Sequence, residues 1–219
     1  MNGLTGQRSV IPGVAGVILA GGQSSRMGSN KALLPYRGGR FIEAIHRQLS
    51  GLFDEVLLVT NTPEQYSFLP CRKVADVFPG LGALAGLQSG LYHSSSEHIF
   101  AVACDMPYLN STLIRRLAAL RDGYDVVIPE GEAGLEPLHA IYGRRCLGPM
   151  EEALANNRKR IISFFADVRM RRYSRAEVAL LDPEFASFSN INTPGDYFRL
   201  RSAEPCAIRN EPADSAAAL

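Results

Sequence analysis

The sequence lacks the features that would place it at a membrane or on nucleic acid. No apolar run approaches the roughly 18–20 residues that span a bilayer, and the segment Met1 to Pro12 has no apolar core of the secretory-signal kind. Its 23 basic and 22 acidic side chains leave a formal net charge of +1. That balance attracts neither nucleic acid nor an anionic lipid surface. We therefore expect a cytoplasmic protein that binds no nucleic acid and no membrane.

Closely spaced cysteines are also missing. The four cysteines, Cys71, Cys104, Cys146 and Cys206, form no C-x-x-C or other close pair. This spacing argues against a zinc site and against a disulfide framework, and it is typical of reduced thiols. Cys104 lies inside an apolar run, so we interpret it as a small core residue.

What is present fits one globular α/β domain. The 219 residues are 46% hydrophobic and 21% charged, which is ordinary for a chain that buries a sizeable core. The sequence contains no internal repeat. We expect residues 1–12 to form a flexible extension, residues 13–202 to form the folded domain, and residues 203–219 to form a disordered tail.

Short apolar runs alternate with amphipathic stretches along this domain. The runs predict strands at Val14–Ala20, Glu55–Thr60, Lys73–Ala75, His98–Cys104 and Asp125–Pro129. The amphipathic stretches predict helices at Arg40–Ser50, Leu84–His93, Ser111–Leu120, Leu147–Asn156 and Pro194–Arg201. Asn110 or Ser111 would cap the third helix, and Thr193, before Pro194, would cap the last one. The alternation predicts a Rossmann-like α/β fold, with a mostly parallel central sheet and helices on both faces.

A loop with three glycines and two basic residues follows the first predicted strand, over residues 19–31. Glycine lets backbone N–H groups approach phosphate oxygens, and Arg26 and Lys31 supply positive charge. The loop matches neither G-x-x-x-x-G-K-[ST] nor G-x-G-x-x-G. A surface turn with basic residues for solubility is the alternative. We interpret the loop as a triphosphate site.

Asp105 follows the strand predicted at His98–Cys104 and precedes Met106 and Pro107. A carboxylate at the end of a buried strand suits Mg²⁺, which prefers one or two carboxylates together with phosphate oxygens and waters. A turn residue or a helix N-cap is the alternative for Asp105. Because ligands of parallel sheets bind beyond the carboxyl ends of the strands, Asp105 and the glycine loop are expected at one edge of the sheet.

These segments resemble the molybdopterin nucleotidyltransferase family, and most closely its guanylyltransferase members. The family signature L-A-G-G-x-S-x-R-M-G-x-x-K is met at every position, by Leu19, Ala20, Gly21, Gly22, Ser24, Arg26, Met27, Gly28 and Lys31. Later family segments follow in the family's order, beginning at Asp76, Asp105, Glu136 and Phe188. The one at Glu136, E-P-L-H-A-I-Y, resembles a strand of the family. One departure is Ala83, which stands where the family usually has proline.

The resemblance implies a nucleotidyltransferase domain over residues 13–202, with the nucleotide-diphospho-sugar transferase-like fold. It implies transfer of GMP from GTP to the terminal phosphate of the molybdenum-molybdopterin cofactor, with Mg²⁺ held by Asp105. Catalytic roles fall on Lys31, Asp105 and Arg26. GTP would contact Leu19, Ala20, Gly21, Gly22, Lys31, Asn61, Asp76, Gly82 and Asp105. Molybdopterin would lie near Asn190, Asn192 and His139. Cofactor-insertion proteins and client molybdoenzymes are the implied partners.

Other functions stay open from the sequence. A cytidylyltransferase of the same fold would use CTP, although its relatives usually begin the loop with L-A-A-G where this chain has L-A-G-G. A sugar-phosphate nucleotidyltransferase would usually need a larger sugar-binding half. A binding module could keep the nucleotide fold without catalysis, although it would not need both Lys31 and Asp105. For His139 a structural role is the alternative, and for Asn61 a simple turn.

Overall fold

The computed structural model describes residues 10–21, 30–191, 193 and 195–198. The strands are β1 (Val14–Leu19), β2 (Pro35–Tyr36), β3 (Gly39–Arg40), β4 (Val56–Val59), β5 (Arg72–Val74), β6 (His98–Ala103), β7 (Val126–Gly131), β8 (Gly134–Leu135), β9 (His139–Gly143) and β10 (Met170–Tyr173). The α-helices are α1 (Phe41–Ser50), α2 (Ala83–His93), α3 (Ser111–Ala119), α4 (Leu147–Ala155) and α5 (Arg175–Ala179). Short 3-10 helices include Lys31–Leu33 and Pro63–Tyr66.

A central sheet carries the fold, in the order β10-β7-β9-β6-β1-β4-β5, with β8 paired to β7. Strands β5, β4, β1 and β6 run parallel to one another, and β10 runs parallel to β7. Strand β9 is antiparallel to both of its neighbours, β6 and β7. The sheet is therefore mostly parallel, as the sequence predicts, with one reversed strand inside it.

The core divides into two layers, one on each face of the sheet. Because successive side chains of a strand point to opposite faces, Ile18 of β1 packs into the layer with α1, α3 and α5. Val17 of the same strand packs into the layer with α2 and α4. Helices thus cover both faces, as predicted. Among the helices of the described segments, none is long and apolar enough to cross a membrane.

The predicted strands and the first four predicted helices are confirmed, with ends shifted by one or two residues. Strands β8 and β10, helix α5 and the β2–β3 hairpin were not predicted from the sequence. Strand β10 reads Met-Arg-Arg-Tyr and lies at the sheet edge, so it lacks the apolar run that identifies the buried strands. Helix α5 has five residues, too few for a helical period to stand out.

Two helix starts were predicted from capping residues, and both are confirmed. The Asn110 side chain accepts hydrogen bonds from the backbone N–H groups of Thr112 (2.9 Å) and Leu113 (3.1 Å). Thr193 Oγ1 accepts from the Asp196 N–H at 3.1 Å. Residues 195–198 are helical, whereas Pro194 and residues 199–201 of the predicted last helix lie outside the described residues.

Candidate active site

Four parallel strands end together at one edge of the sheet, which we call the rim. Backbone hydrogen bonds keep their ends level, because Ala20 N–H donates to Val59 O (3.0 Å) and Cys104 N–H donates to Leu19 O (3.2 Å). Gly21, Asn61, Asp76 and Asp105 each follow one of these strands within two residues. The expectation that the glycine loop and Asp105 share one edge is therefore confirmed for the described start of that loop.

Asn61 and Asp76 form a reciprocal pair at the rim. The Asn61 side-chain amide donates to Asp76 Oδ2 at 3.0 Å, and the Asp76 backbone N–H donates to Asn61 Oδ1 at 3.0 Å. The other carboxylate oxygen, Asp76 Oδ1, lies 3.6 Å from where a Cβ on Gly86 would stand, so it sits beside the start of α2. These two predicted GTP contacts, 15 residues apart, thus form one polar unit.

The small-residue segment before α2 depends on glycine for its backbone conformation. Gly80 and Gly82 have φ of +81° and +79°, a left-handed conformation that favours glycine. Gly82 is the residue before α2, and it supplies no side-chain cap to the first turn. The early N–H groups of a helix need partners from outside the helix. The backbone conformation therefore explains a glycine at position 82, in addition to its predicted contact with GTP.

Lys31 is held in place by the residue before it. Asn30 Oδ1 accepts from the Ala32 N–H at 3.2 Å and so caps the 3-10 helix that begins at Lys31. The amide group of Asn30 donates to Gln65 Oε1 (2.9 Å) and to the buried Tyr66 hydroxyl (2.8 Å). Asn30 thereby ties Lys31 to the segment after β4. No role was predicted for Asn30 from the sequence, although asparagine before a helical turn is a known capping signal.

Asp105 and Lys31 lie close enough to influence each other's charge. Burial raises the pKa of the half-buried Asp105 carboxyl, while the nearby Lys31 charge and a backbone N–H act in the opposite direction. Burial of the Cys104 thiol, together with the Asp105 charge, raises its pKa to about 12, so that sulfur stays protonated. Asp105 therefore lies just after β6, close enough to the Lys31 cation for that charge to act on its carboxyl.

The segment that carries Asn190 is attached to Asp105. The Ile191 N–H donates to the Asp105 carbonyl oxygen at 3.0 Å, and Asn190 beside it is exposed. Asn190 thus lies near the rim, and its molybdopterin contact stays a prediction. Several predicted site residues and signature positions lie outside the described residues: Gly22, Ser24, Arg26, Met27, Gly28 and Asn192.

His139 lies beneath the surface of the rim. Its side chain is fully buried, and neither ring nitrogen has a hydrogen-bond partner among the described residues. Phe100 and Phe188 pack edge-on against the ring, with centroids 4.9 and 5.2 Å away. Burial lowers the pKa of His139 to about 3. The molybdopterin contact predicted for His139 stays a prediction, and this placement favours the structural alternative.

A pH dependence of stability follows from the burial of His139. With a pKa of about 3 when folded and 6.5 ordinarily, the residue binds more protons in the unfolded chain between those values. It therefore destabilises the fold progressively as the pH falls below 6.5. We expect His139→Phe to become more stable relative to the unsubstituted chain, by up to about 1.4 kcal/mol per pH unit lowered. Urea unfolding between about pH 4.5 and 7.5 measures the difference.

His139→Gln is the control for that experiment, since it keeps a buried polar group that does not titrate. It should lose the same pH dependence while being less stable than His139→Phe at every pH. If the free energy of unfolding changed with pH in the same way in the unsubstituted chain and both variants, the prediction would be wrong. His139 would then be protonated equally in the folded and unfolded states.

A basic loop that was not predicted from the sequence lies against the segment around Gly82. Arg158, Lys159 and Arg160 are all exposed, and the Lys159 carbonyl oxygen lies 4.0 Å from where a Cβ on Gly82 would stand. Ser163 fixes the loop by accepting from Arg158 at 3.0 Å and donating to the Arg160 carbonyl at 2.6 Å. A loop with three basic residues therefore lies beside the start of α2, a placement that the local sequence after α4 does not reveal.

Comparison with known proteins connects this site to a family. The family model for the MobA-like NTP transferase domain matches residues 16–172. A molybdenum cofactor guanylyltransferase of Desulfosudis oleivorans is 36% identical, over 87% of this chain and 95% of the relative. A probable molybdenum cofactor guanylyltransferase of Carboxydothermus hydrogenoformans is 38% identical, over 84% of this chain and 92% of the relative.

A solved structure has the same fold. Molybdopterin-guanine dinucleotide biosynthesis protein A from Archaeoglobus fulgidus superposes with a TM-score of 0.75 at 25% identity, covering 86% of this chain and 97% of that one. The matched residues contain the described rim, from β1 through β10. The chain therefore belongs to the family of MobA-like NTP transferases, which includes the molybdenum cofactor guanylyltransferases.

Proposed function

We propose that this chain transfers GMP from GTP to the terminal phosphate of the molybdenum-molybdopterin cofactor. An oxygen of that phosphate attacks the α-phosphorus of GTP, the bond from the α-phosphorus to the β-phosphate oxygen breaks, and pyrophosphate leaves. The products are pyrophosphate and the guanine dinucleotide form of the cofactor. The observation that carries the proposal is Asp105 at the rim, within reach of the Lys31 charge that lowers the pKa of its carboxyl, in a chain whose relatives are named guanylyltransferases.

The rim offers separate places for the two halves of the nucleotide. The glycine loop and Lys31 follow β1, and the Asn61–Asp76 pair follows β4 and β5, on the side of β1 away from β6. Adjacent strands lie about 4.8 Å apart, so a nucleotide lying across the rim reaches both. The phosphates would lie on the loop and Lys31, and the nucleoside on the Asn61–Asp76 pair and the segment around Gly82.

The residues present fit a Mg²⁺ ion that is shared with substrate. Among the described residues, no group of three histidine, cysteine or carboxylate side chains could hold a metal by itself. Asp105 contributes one half-buried carboxylate, and Mg²⁺ takes one or two carboxylates with phosphate oxygens and waters. We propose that Asp105 holds this ion, which when bound would neutralise charge on the α-phosphate and the acceptor phosphate.

Catalysis by such a site consists mainly of positioning and charge neutralisation. Lys31 stands next to Asp105, where it would stabilise negative charge that develops on the α- and β-phosphates. Arg26 is proposed to act with it. The exposed cations of residues 158–160, beside Gly82, would add positive potential along the same face. Asn190 and Asn192 are proposed to contact the acceptor. The reaction is proposed to take place in the cytoplasm.

Nucleotide-dependent thermal stability tests the choice of substrate. We expect GTP with Mg²⁺ to raise the melting temperature more than CTP, ATP or UTP does. A ligand at 100 times its Kd stabilises the native state by about 2.7 kcal/mol. For a chain of this size that corresponds to roughly 5–10 °C. Differential scanning measures the shift, and the same nucleotides without Mg²⁺ are the control.

The outcomes separate the proposed function from its alternatives. A larger shift with CTP than with GTP would make the protein a cytidylyltransferase. A GTP shift without pyrophosphate release, in the presence of molybdopterin, would instead identify a nucleotide-binding module. Release of pyrophosphate with GTP and molybdopterin together, and with neither alone, is the expected result.

A further inference from the structure

Glu136 comes shortly before β9, on the side of β6 away from the Asn61–Asp76 pair. Strand β9 begins at His139, which pairs with Val102 near the end of β6, so the residues before His139 lie beside the rim. The Glu136 backbone is fixed by its N–H, which donates to Pro129 O at 3.0 Å. Its carbonyl accepts from the His139 N–H at 3.1 Å. The position of this residue is thus set by β7 and β9, two strands that the nucleotide does not need.

The Glu136 carboxylate is half-buried and has no hydrogen bond or ion pair with any residue of the described segments. The nearby arginines serve other carboxylates: Arg172 lies 3.9 Å from Glu130 and Arg175 lies 3.1 Å from Glu132. Burial raises the pKa of the Glu136 carboxyl, and no charge from the described residues opposes this effect. A desolvated, unpaired carboxylate costs folding free energy. Such a cost is expected where the carboxylate serves to bind a ligand.

The surroundings of Glu136 keep the carboxylate at the rim. A Cβ on Gly131 would stand 2.5 Å from Glu136 Oε1 and 2.9 Å from Phe188 Cδ2, so only glycine leaves room for both side chains. Phe188 packs in turn on the buried, unpartnered ring of His139. The chain then runs from Phe188 to Ile191, which is bonded to Asp105. Glu136 and Asp105 are therefore joined through one packed segment.

The unpaired carboxylate has a chemical counterpart in the acceptor of the proposed function, on which this inference rests. A pterin ring carries a 2-amino group beside an N3–H, two donors that point the same way. A carboxylate accepts two parallel N–H bonds, as it does from arginine. We infer that Glu136 binds the 2-amino-4-oxo edge of the pterin and so positions the acceptor phosphate on the far side of Asp105 from the nucleoside.

The experiment compares two fluorescent bicyclic compounds as probes, pterin and lumazine. Lumazine has a 2-oxo group in place of the 2-amino group, so it presents an acceptor where pterin presents a donor. The unsubstituted chain should bind pterin about 10- to 100-fold more tightly than lumazine, a discrimination typical of a bidentate pair. Glu136→Gln, whose amide can donate to the 2-oxo group, should lose or reverse that preference. Glu132→Gln, at an exposed carboxylate of the same hairpin, should keep it.

Guanine has the same 2-amino-4-oxo edge, so the nucleotide must be tested as well. The thermal shifts produced by GTP and by inosine triphosphate, which lacks the 2-amino group, should keep their ratio in Glu136→Gln. In GMP transfer, this variant should raise the KM for molybdopterin about 10- to 100-fold, with the KM for GTP unchanged. The unsubstituted chain must transfer GMP to molybdopterin in the same assay, which tests the proposed function separately.

Three results would overturn the inference. The first is equal affinity of the unsubstituted chain for pterin and lumazine, including no measurable binding of either. The second is a pterin preference that Glu136→Gln leaves intact. The third is that Glu136→Gln changes the ratio of the thermal shifts produced by GTP and by inosine triphosphate, which would place Glu136 at the nucleotide base. Each of these leaves the proposed guanylyl transfer standing if the unsubstituted chain still makes the dinucleotide.

Discussion

Asp105→Asn is expected to abolish Mg²⁺-dependent GMP transfer and to leave the fold intact. The amide keeps the shape and one acceptor oxygen, but it removes the negative charge that would hold the ion. Metal-ion stabilisation of a phosphoryl transition state is worth several kcal/mol, which corresponds to a loss of at least about 10³-fold in rate. Activity against Mg²⁺ concentration, with GTP and molybdopterin saturating, measures this effect.

The melting temperature without metal distinguishes a metal ligand from a turn residue. Because burial raises the pKa of Asp105, its charged form is disfavoured in the fold, and a neutral amide should leave the apo melting temperature unchanged or slightly higher. The Asp105 backbone carbonyl still accepts from the Ile191 N–H in the variant. Asp54→Asn, at an exposed position before β4, is the matched control and should change neither quantity. Full activity of Asp105→Asn at ordinary Mg²⁺ would remove Asp105 from the mechanism.

Lys31→Ala is expected to slow GMP transfer by about 10²–10³-fold, the usual effect of losing one contact to transition-state charge. The loss should fall mainly on kcat, because Lys31 lies beside Asp105, where the negative charge would develop. The turn itself should persist, since Asn30 caps it and holds Tyr66 independently of the Lys31 side chain. Steady-state kinetics with circular dichroism check both statements.

The same variant carries a pH signature that a surface lysine would not produce. The Lys31 charge lowers the pKa of Asp105 against the effect of burial. Its removal should shift the acidic limb of the kcat profile to higher pH, since Asp105 then protonates more easily. Arg116→Ala, an exposed cation on α3, is the control and should leave rate and profile unchanged. Unchanged turnover in Lys31→Ala would reduce Lys31 to a solubility residue.

Local sequence was sufficient for the parts of the site that depend on strand ends. Apolar runs with a period of two identify buried strands, and parallel strands present their carboxyl ends at one edge. Gly21, Asn61, Asp76 and Asp105 each follow such a run, so their shared rim could be predicted without coordinates. Capping chemistry is equally local, which is why the predicted roles of Asn110 and Thr193 are confirmed.

Contacts between distant segments could not be predicted in the same way. Asn30 reaches Tyr66, 36 positions away, and Asn61 pairs with Asp76, 15 positions away. Neither pairing leaves a trace in the periodicity of its own segment. The E-P-L-H-A-I-Y motif resembles a strand of the family, but nothing local indicates that β9 runs against its two neighbours.

By itself, the sequence determined the mostly parallel α/β fold, the family, the place of Asp105 at a strand end and that of Lys31 at the end of the glycine loop, because these depend on hydrophobic period and motif order. Only the tertiary structure decided that, among the described residues, His139 is buried without a hydrogen-bond partner and Glu136 is unpaired, while Arg172 and Arg175 contact Glu130 and Glu132. It also decided that the 158–160 loop lies beside Gly82. The physical reason is the order of strands in the sheet. That order sets which distant side chains meet, and therefore which charges are compensated and which remain available to a ligand.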